Sequence, residues 1–529
     1  MQQVATKPSV SWDPDKFRLR RLVERLIDMG EVEVHDEPVA LSEMSPMIEA
    51  TTKALLFRKA GPEQHEVAAA VSATRSRAAA AFGVPEDRVR EEYMRRMANP
   101  QKAFEVPKSE APVQEIVETG DQINLLKLPF HVQHEYDGGP YITSGIDFTV
   151  DPVTKRSNVG CRRLMLRGKD KAGFNLTAPS DLRNIYLGCV KRGERLDCSF
   201  TIGAHPLDTM AAGSRSQGQE IDSLGTFRGA PLPVVKCVTN SLYVPADAEI
   251  VLEGYIDERG YIDNEGPYGE YMGFYGPMHG DPVFHVTAIT RRRDVLHQSI
   301  KHGIGKHLGE CDGAPLGAIQ GEARAWQVLK AAGLDPVDVY SVGASGVGHH
   351  LRVSLRKRTD GDGRAAIAAL LGAIMTVKHV WVTDEDVNIR RDNEMEWAMS
   401  TRFQADKDIV VLTNMREMPM DPSTTQRGTG AKAGFDCTFP FPRSNAVTMR
   451  VPEAAKIGGP ARYQNVRQAL EEGGPMHFAK LMSVLGSRDG RELVPEIEKL
   501  RDAGLLDRNS DGDYYMVGKN DPKKGPTTH

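Results

Sequence analysis

Two glutamates five residues apart, Glu265 and Glu270, bracket a Gly-Pro-Tyr-Gly turn in the segment YIDNEGPYGEYMGFYGP. A turn that contains proline holds its flanking residues in fixed positions, so it can present two carboxylates to one small molecule. Like charges held close together raise the pKa of one member of such a pair, which then carries a proton near neutral pH while the other stays ionised. The motif suggests acid–base chemistry, although a solvated acidic loop between strands explains these residues equally well.

A second candidate is Arg163, in the stretch SNVGCRR that begins at Ser157. A guanidinium presents a planar fork of donors that matches a substrate carboxylate or pairs with a glutamate. Arginines also lie at positions 162 and 167. Taken alone, Arg163 is therefore more simply interpreted as one of several surface arginines.

Oxygen donors for a metal ion occur at three further positions, Asn158, Asp181 and Glu220. An amide carbonyl with two carboxylates suits a hard divalent cation such as Mg²⁺ or Mn²⁺, especially one that bridges to a phosphate. The three residues are scattered along the chain, so without further support they are weak evidence of a metal site.

The combination and order of several strings resemble the UbiD family of (de)carboxylases, which depend on prenylated FMN. The strings are GGPYITSGIDFTVDP from Gly138, SNVGCRR from Ser157, PVVKCVTNSLYVPADAEIVLEGYI from Pro233, NEGPYGEYMGFYG from Asn264, DEDVNI from Asp384 and WAMSTR from Trp397. The similarity covers most of the chain from about Pro112 to about Asp436 and is weaker in the N-terminal helices.

The resemblance implies distinct roles for the residues of the family's catalytic Glu-Arg-Glu network. Arg163 would orient the substrate carboxylate, Glu265 would position Arg163, and Glu270 would donate the proton that replaces CO₂ on carbon. A cofactor must accept the electron pair that the departing CO₂ leaves behind, and the modified flavin of the family does this.

The resemblance also implies ligands for the cofactor. Asn158 and Glu220 fall on positions that hold a divalent metal, Mn²⁺ or Mg²⁺, against the flavin phosphate. Asp181 takes the third metal position, which is a histidine in some members. A potassium ion would share Glu220 and backbone carbonyls of residues 210 to 213. The residues expected to bind the cofactor are Asn158, Val159, Gly160, Cys161, Arg162, Arg163, Ser180, Asp181 and Glu220.

Six residues fall near family positions that shape the substrate pocket, although each of them also suits an ordinary core. They are Thr177, Tyr271, His302, Leu316, Phe435 and Phe439. The segment IKHGIGKHLGE contains His302, Lys306 and His307. It would form either a polar wall or lid over the substrate or a loop that only turns a corner.

The composition is typical of a globular protein and argues against nucleic-acid binding, membrane insertion and a disulfide framework. Of the 529 residues, 40% are apolar and 26% are charged, and the formal charge of −5 gives no electrostatic case for nucleic-acid binding. The N-terminus has no apolar signal region, and the weakly polar run AAIAALLGAIMTV is too short to span a bilayer, so we expect a cytoplasmic protein that does not enter membranes. The six cysteines form no CxxC pair, which is typical of reduced, singly buried thiols.

Periodicity predicts the elements that must position these residues. Helical spacing from Asp13 to Met29 precedes a strand at EVEVH, and two more helices are expected between Val67 and Ala98. Short β-branched runs separated by turns fill Pro112 to His297 and predict a mostly-β domain. After Gly317, helices and strands alternate, whereas RGTGAKAGFD from Arg427 lacks the spacing of a phosphate-binding loop and is interpreted as a mobile loop.

These patterns predict a mixed α and β protein, and the resemblance implies an α+β protein of UbiD-like architecture. The expected domains are an N-terminal α/β region (1–111), a central split β-barrel that binds the flavin (112–316), a C-terminal α/β domain (317–460) and a helical tail (461–529) that contacts a partner subunit. The resemblance implies a homodimer or higher oligomer and a flavin prenyltransferase that supplies the cofactor.

The expected reaction is the reversible, non-oxidative decarboxylation of an aromatic, heteroaromatic or α,β-unsaturated carboxylic acid. Two alternatives remain open at this point. One is a flavin-independent divalent-metal hydrolase that uses the same oxygen donors, and the other is a flavin-binding protein without catalytic activity.

Overall fold

The computed structural model describes residues 12–216, 218–303, 309–346, 348–426 and 428–519. The described residues fall into two compact units, one within Met1–Lys357 and Gly361–Thr438 and the other within Arg358–Asp360 and Phe439–His529. The domain boundaries suggested by the sequence, after residues 111, 316 and 460, remain predictions. Within the described ranges, every helix is too short or too polar to cross a membrane.

The N-terminal part of the first unit contains four helices and four strands. The helices are α1 (Leu19–Asp28), α2 (Leu41–Ala50), α3 (Arg75–Phe82) and α4 (Val89–Met97). The strands are β1 (Val32–Val39), β2 (Ala54–Ala60), β3 (His65–Ala69) and β4 (Ala103–Glu105). The expected helices and the strand at EVEVH are present, but α1 begins only at Leu19, and Val67 to Ala69 form the end of a strand.

The middle of the chain is dominated by strands, as its β-branched runs predict. The strands are β5 (Ile116–Thr119), β6 (Tyr141–Val150), β7 (Ser157–Leu166), β8 (Lys171–Phe174), β9 (Leu196–Ile202), β10 (Leu232–Lys236), β11 (Tyr243–Pro245), β12 (Ile250–Ile256), β13 (Asp263–Glu265), β14 (Tyr268–Gly269), β15 (Tyr275–Gly276), β16 (His279–Asp281), β17 (Val283–Arg291) and β18 (His297–Ser299). Three helices interrupt them: α5 (Asp181–Arg192), α6 (Pro206–Ala212) and α7 (Glu220–Arg228).

Six of these strands close into a barrel in the order β12-β9-β6-β7-β8-β17, because β17 pairs back with β12. Phe174, Phe200 and Phe284 come from three different strands and pack edge to face, with ring centroids 5.4 and 4.9 Å apart. Strand β18 leaves the barrel and pairs in parallel with β3, so it completes the N-terminal sheet β1-β2-β3-β18. The barrel and the N-terminal sheet are therefore built from interleaved parts of the chain.

An excursion between β12 and β17 carries the two glutamates. Strands β13 and β16 pair with each other, and so do β14 and β15, which makes two small nested ladders. Since β12 and β17 are neighbours in the barrel, both ends of the excursion are fixed to the same wall. The turn that carries Glu265 and Glu270 is thus held on a rigid base.

The C-terminal part of the first unit is a mixed five-stranded sheet with helices, as the alternating pattern predicts. Its strands are β19 (Pro336–Ser341), β20 (His350–Leu355), β21 (His379–Asp384), β22 (Ile409–Arg416) and β23 (Thr429–Cys437), in the order β19-β20-β21-β23-β22. Its helices are α8 (Gly313–Ala331), α9 (Asp362–Ala373) and α10 (Asp392–Arg402).

The second unit consists of α11 (Val466–Gly473), α12 (Phe478–Leu485), α13 (Val494–Asp502) and a hairpin of β24 (Leu506–Arg508) and β25 (Tyr514–Met516).

The expectation of a mobile loop after Arg427 is wrong for Thr429–Cys437, which forms β23 between β21 and β22. The glycines that suggested a loop have a packing role in this strand. A Cβ added to Gly434 would lie 2.1 Å from Cγ2 of Ile367 on α9, so only glycine allows the helix to approach the sheet this closely.

A buried ion cluster joins α6 to α7, and we expect it to be essential for stability. Arg228 donates to both carboxylate oxygens of Asp208 at 2.7 Å and to Asp247 at 2.7 Å, and all three side chains are at most 4% exposed. Replacing Arg228 with Met leaves two buried carboxylates without their cation, which should lower the free energy of unfolding by about 3–5 kcal/mol. Urea unfolding followed by tryptophan fluorescence measures the change.

The matched control is Arg356→Met, because Arg356 pairs with Glu385 at 3.0 Å where the two side chains are 61% and 49% exposed. An exposed pair of this kind contributes less than about 1 kcal/mol. Equal shifts of the unfolding midpoint in the two variants would contradict the assignment.

Candidate active site

Arg163 on β7 and Glu265 at the end of β13 form a two-point ion pair. Nε of Arg163 donates to Oε1 of Glu265 at 2.8 Å, and Nη2 donates to Oε2 at 3.0 Å. Glu265 is fully buried. This fork-to-fork geometry fixes the orientation of both side chains.

Glu270, which follows β14 directly, contacts the same guanidinium from another side. Nη1 of Arg163 donates to Oε1 of Glu270. The backbone N–H of Glu270 donates to the Phe274 carbonyl at 2.9 Å, and Gly273 donates to the Glu270 carbonyl at 3.0 Å, so the turn itself is closed by hydrogen bonds. The side chain of Glu270 keeps 14% of its surface exposed, compared with 0% for Glu265. The two glutamates are therefore unequal in position.

Aromatic rings form the wall behind the guanidinium. The Cζ atom of Arg163 lies 4.4 Å from the ring centroid of Tyr268 and 6.0 Å from that of Tyr141. The hydroxyl of Tyr268 donates to Gln133 at 3.0 Å, which holds the ring in place. A cation over an aromatic face is stabilised by about 1 kcal/mol or more when desolvated, so the rings keep Arg163 where the carboxylates need it.

The contacts between Glu265 and Arg163 keep both side chains ionised. Burial alone would raise the pKa of Glu265, but the hydrogen bonds and charge of Arg163 outweigh burial and hold that pKa below its usual range. Burial would likewise lower the pKa of Arg163, and the two glutamates together raise it above its ordinary value. Glu265 is thus a carboxylate at neutral pH, locked to a permanently charged arginine.

Behind Glu265 lies a second layer of polar side chains that no sequence motif indicated. Nε2 of His279 lies 3.6 Å from Oε2 of Glu265, and Nδ1 of His279 lies 3.0 Å from Oδ2 of Asp281. Asn175, just after β8, donates to Glu265 Oε2 at 3.4 Å. His279 and Asp281 are two residues apart on β16, so both lie on one face of the strand, but that spacing alone does not connect them to Glu265.

The structure brings together the three residues that the sequence suggests as metal ligands. Asn158 on β7, Asp181 at the first position of α5 and Glu220 at the first position of α7 line one cavity of about 210 Å³. Nδ2 of Asn158 donates to Oε2 of Glu220 at 2.7 Å, and the backbone N–H of Val159 donates to the same oxygen at 2.8 Å. Burial, with the nearby charge of Asp181, raises the pKa of Glu220.

Most of the other residues expected to bind the cofactor line the same cavity. Ser180 caps the N-terminus of α5 by accepting the N–H of Arg183 at 3.2 Å, and its hydroxyl also accepts from Nη2 of Arg162 at 3.3 Å. The expected residues in its lining are Asn158, Val159, Gly160, Cys161, Arg162, Ser180, Asp181 and Glu220. Arg163, the one remaining member of the set, belongs instead to the network with the two glutamates.

A larger cavity of about 310 Å³ adjoins the first, since Cys161 and Gly213 line both. Of the residues suggested for a substrate pocket, Tyr271, His302 and Leu316 line it. Burial lowers the pKa of His302 to about 3, so its imidazole is neutral. Its buried Nδ1 has no hydrogen-bond partner within the described ranges.

The other residues suggested for a pocket are not among the described residues that line this cavity. Thr177 lies beyond β8 and is not among the described residues that line the larger cavity. Phe435 lies in β23, where it stacks on Trp381 at 4.9 Å. Phe439 belongs to the second unit and packs under Arg443 at 4.8 Å. Two further candidates, Lys306 and His307, fall outside the described residues.

The cavity and the ion network are neighbours. The ring of His302 packs edge to face on Tyr268 at 5.4 Å, and Tyr268 is the ring that covers Arg163. Tyr271 lines the cavity and directly follows Glu270. A ligand in the larger cavity would therefore contact His302 and Tyr271, and the guanidinium of Arg163 lies behind His302, against the Tyr268 ring.

The chain matches known protein families and relatives. Residues 104–304 match the 3-octaprenyl-4-hydroxybenzoate carboxy-lyase Rift-related domain, and residues 315–437 match the 3-octaprenyl-4-hydroxybenzoate carboxy-lyase C-terminal domain. The chain is 32% identical over 427 residues to anhydromevalonate phosphate decarboxylase of Methanosarcina mazei, a match that covers 79% of this chain and 95% of the relative.

Solved structures show the same fold. The UbiD-class enzyme HmfF from Pelotomaculum thermopropionicum, in complex with FMN, is 31% identical with a TM-score of 0.75, covering 81% of this chain and 95% of HmfF. Vanillic acid decarboxylase from Sedimentibacter hydroxybenzoicus is 26% identical with a TM-score of 0.73, covering 84% and 96%. The fold predicted from the sequence is confirmed, and the chain belongs to the UbiD family and is a carboxy-lyase.

Proposed function

We propose that this carboxy-lyase decarboxylates an aromatic, heteroaromatic or α,β-unsaturated carboxylic acid, reversibly and without net oxidation, with prenylated FMN as its cofactor. The observation that carries the proposal is the Glu265–Arg163–Glu270 network beside two adjoining cavities. The similarity to HmfF supports the choice of cofactor, because HmfF has been solved with FMN and, in an evolved dimeric form, with prFMN.

The residues present fit such a cofactor. The smaller cavity combines the oxygen donors of Asn158, Asp181 and Glu220 with the guanidiniums of Arg162 and Arg215, a set that suits a phosphate and a divalent cation, Mn²⁺ or Mg²⁺. The larger cavity next to it has room for a ring system. Nδ1 of the buried His302, which has no hydrogen-bond partner among the described residues, is a polar atom that a ligand could satisfy.

When bound, the modified flavin supplies the electron sink that decarboxylation at an unsaturated carbon requires. Arg163 has five N–H donors, and Glu265 and Glu270 engage three of them. Among the described residues, the other two N–H groups have no acceptor and are available to orient a substrate carboxylate. Glu265 has both oxygens committed to Arg163, so it acts as the holder of that arginine.

Glu270 is the residue placed to deliver a proton. It has one oxygen on Arg163, and part of its side chain remains accessible. A proton donor must reach the reacting carbon, which a carboxyl group locked at both oxygens cannot do. We assign to Glu270 the protonation of the carbon that loses CO₂.

We also propose the remaining partners of the reaction. A flavin prenyltransferase would supply the cofactor, and the chain would act as a homodimer or a higher homo-oligomer. A potassium ion would share Glu220 and carbonyls of residues 210 to 213, a segment that lies at the end of α6 and contributes Gly213 to both cavities.

The decisive experiment measures decarboxylation by protein co-expressed with a flavin prenyltransferase. Across a panel of unsaturated and aryl acids, the holo protein should release CO₂ and incorporate one solvent deuterium into the product. The variant Glu270→Gln keeps the shape of the side chain but cannot donate an acidic proton. We expect its kcat to fall by about 10²–10⁴-fold with bound flavin retained.

The matched control is Glu258→Gln, an exposed carboxylate between β12 and β13. It should retain wild-type rates. Turnover of phosphate esters by flavin-free protein with added Mn²⁺ would favour the metal-hydrolase alternative. No CO₂ from any acid, with a confirmed flavin load, would refute the proposal.

Metal retention tests the smaller cavity independently of turnover. Asp181→Asn and Glu220→Gln each remove one negative charge from the donor set. Both should lower bound manganese, measured by mass spectrometry of the purified holo protein, by at least about tenfold and reduce the flavin absorbance in parallel. Unchanged metal content in both variants would show that the ion binds elsewhere.

A substitution at Gly269, next to Glu270, tests whether turnover depends on the exact position of the turn. A Cβ added there would lie 2.4 Å from the His134 ring, so Gly269→Ala must displace the ring or the turn. We expect kcat to fall while the unfolding midpoint changes little, and the double variant Gly269→Ala/His134→Ala should recover part of the loss. Gly372→Ala, with no atom within 4 Å of the added carbon, is the control. A fully active Gly269→Ala variant would argue against a precise placement of Glu270.

A further inference from the structure

His279 faces Glu265 across a short antiparallel ladder. Strands β13 and β16 pair in register, with Glu265 opposite His279 and Asp263 opposite Asp281. Residues directly opposite each other in such a ladder have side chains on the same face and within reach of one another. Nε2 of His279 accordingly lies 3.6 Å from Oε2 of Glu265, the oxygen that also receives Nη2 of Arg163.

Asp281 holds the other side of the imidazole. It is two residues from His279 on the same strand, so its side chain lies on the same face. Its Oδ2 lies 3.0 Å from Nδ1 of His279, at ion-pair distance but without the alignment of a hydrogen bond, and its Oδ1 accepts the backbone N–H of Leu176 at 3.0 Å. Asp281 is fully buried and accepts a backbone hydrogen bond, so its side chain is held in place. Its contact with His279 therefore restricts the position of the imidazole.

Five side chains form a continuous series of contacts, in which the charges alternate in sign when His279 is protonated: Asp281, His279, Glu265, Arg163 and Glu270. Each neighbouring pair is in contact. The interaction with Asp281 raises the pKa of His279, and the charge of Glu265 adds to this, while burial and Arg163 act in the opposite direction. Although Glu265, His279 and Asp281 are close enough to surround a cation, Glu265 already has Arg163 as its counter-ion.

We propose that His279, held by Asp281, is a positioning residue that fixes Glu265 and, through it, the guanidinium of Arg163. The inference rests on the proposed function, in which Arg163 orients the substrate carboxylate. A protonated imidazole gives the fully buried Glu265 a second cationic neighbour. Glu265 then stays ionised, with both oxygens bound to Arg163. The orientation of the guanidinium is thereby fixed, and so is the direction in which its other N–H groups point.

The sign of the pH dependence follows from this arrangement. The charged groups that face His279 are Asp281 on its own strand, Glu265 on β13 and Arg163 on β7, and the neutral amide of Asn175 lies 3.4 Å from Nε2. Because the pKa of His279 is raised above its ordinary value, the protonated form is present below that pKa and is lost as the pH rises through it. The arrangement predicts a decline in kcat/KM on the alkaline side that disappears in His279→Gln.

One experiment needs no turnover at all. In the full-length chain labelled with ¹³C at histidine Cε1, His279→Gln identifies the signal of His279, and its titration gives the pKa directly. We expect this pKa to fall in Glu265→Gln, because the facing carboxylate is removed, and to fall in Asp281→Asn. An unchanged pKa in both variants would overturn the proposal.

The second experiment separates positioning from ordinary stabilisation. In the holo enzyme, His279→Gln should lower kcat/KM by about 10–100-fold, as expected for a residue that orients a catalytic group through another. In the Glu265→Gln background the same change should have less than about a twofold effect, because the residue it acts through is already altered. Equal losses in both backgrounds would show that His279 acts independently of Glu265.

A matched control is His285→Gln. His285 on β17 also pairs with an aspartate, with Nε2 2.8 Å from Asp257, but its strand partners are in the barrel wall. It should leave kcat/KM and its pH profile unchanged. If wild-type holo protein decarboxylates no acid, the proposed function fails while the titration still decides whether His279 and Glu265 are coupled.

Discussion

The ion pair between Arg163 and Glu265 is the interaction on which the candidate site depends. Glu265 is fully buried, and a buried carboxylate without a cation would be strongly unfavourable. The pair also joins two separate parts of the fold, since Arg163 belongs to the barrel strand β7 and Glu265 to the excursion between β12 and β17. The same contact therefore keeps a charge buried, docks the excursion on the barrel and sets the direction of the guanidinium.

The barrel strand β7 holds the cavity with the oxygen donors and the network of Arg163 at a fixed distance from each other. Asn158 and Arg163 lie on the same strand, five residues apart, which corresponds to roughly 17 Å of extended chain. One end of β7 thus contributes to the cavity lined by Asp181 and Glu220, while the other meets Glu265 and Glu270. Because β7 is paired on both sides, by β6 and β8, neither end can move without disturbing the wall.

How much of this could be predicted from the sequence depends on how local each feature is. The two glutamates stand out because their turn is a short contiguous motif, whereas Arg163 gained its role only through the resemblance of the whole chain to a family. His279 and Asp281 escaped notice because their meaning comes from the register of β13 with β16, which periodicity does not reveal. The role of Tyr268 likewise depends on a guanidinium that arrives from a strand 105 residues earlier.

Errors in the prediction have similar physical causes. The glycines near residue 430 suggested a loop, yet Gly434 lies in a strand because α9 packs too closely to allow a side chain. The N-terminal sheet requires β18, which follows the barrel in sequence, so no local pattern could show that Val67 to Ala69 pair as a strand. Phe435, which suited a substrate pocket by its family position, is set opposite Trp381 by the parallel pairing of β21 and β23, and its part in substrate binding stays a prediction.

The unequal positions of Glu265 and Glu270 show how a fold can differentiate two identical residues on one turn. Glu265 ends a strand that is paired with β16, and that pairing buries it against Arg163, Asn175 and His279. Glu270 follows a two-residue strand at the tip of the excursion, where it keeps one contact to Arg163 and part of its surface. A buried carboxylate surrounded by cationic and amide donors is held ionised, whereas the side chain at the open edge keeps a surface that a ligand can reach. The difference in burial and in contacts between the two glutamates therefore arises from strand pairing. A change that loosened the β13–β16 ladder would expose Glu265 and reduce that difference.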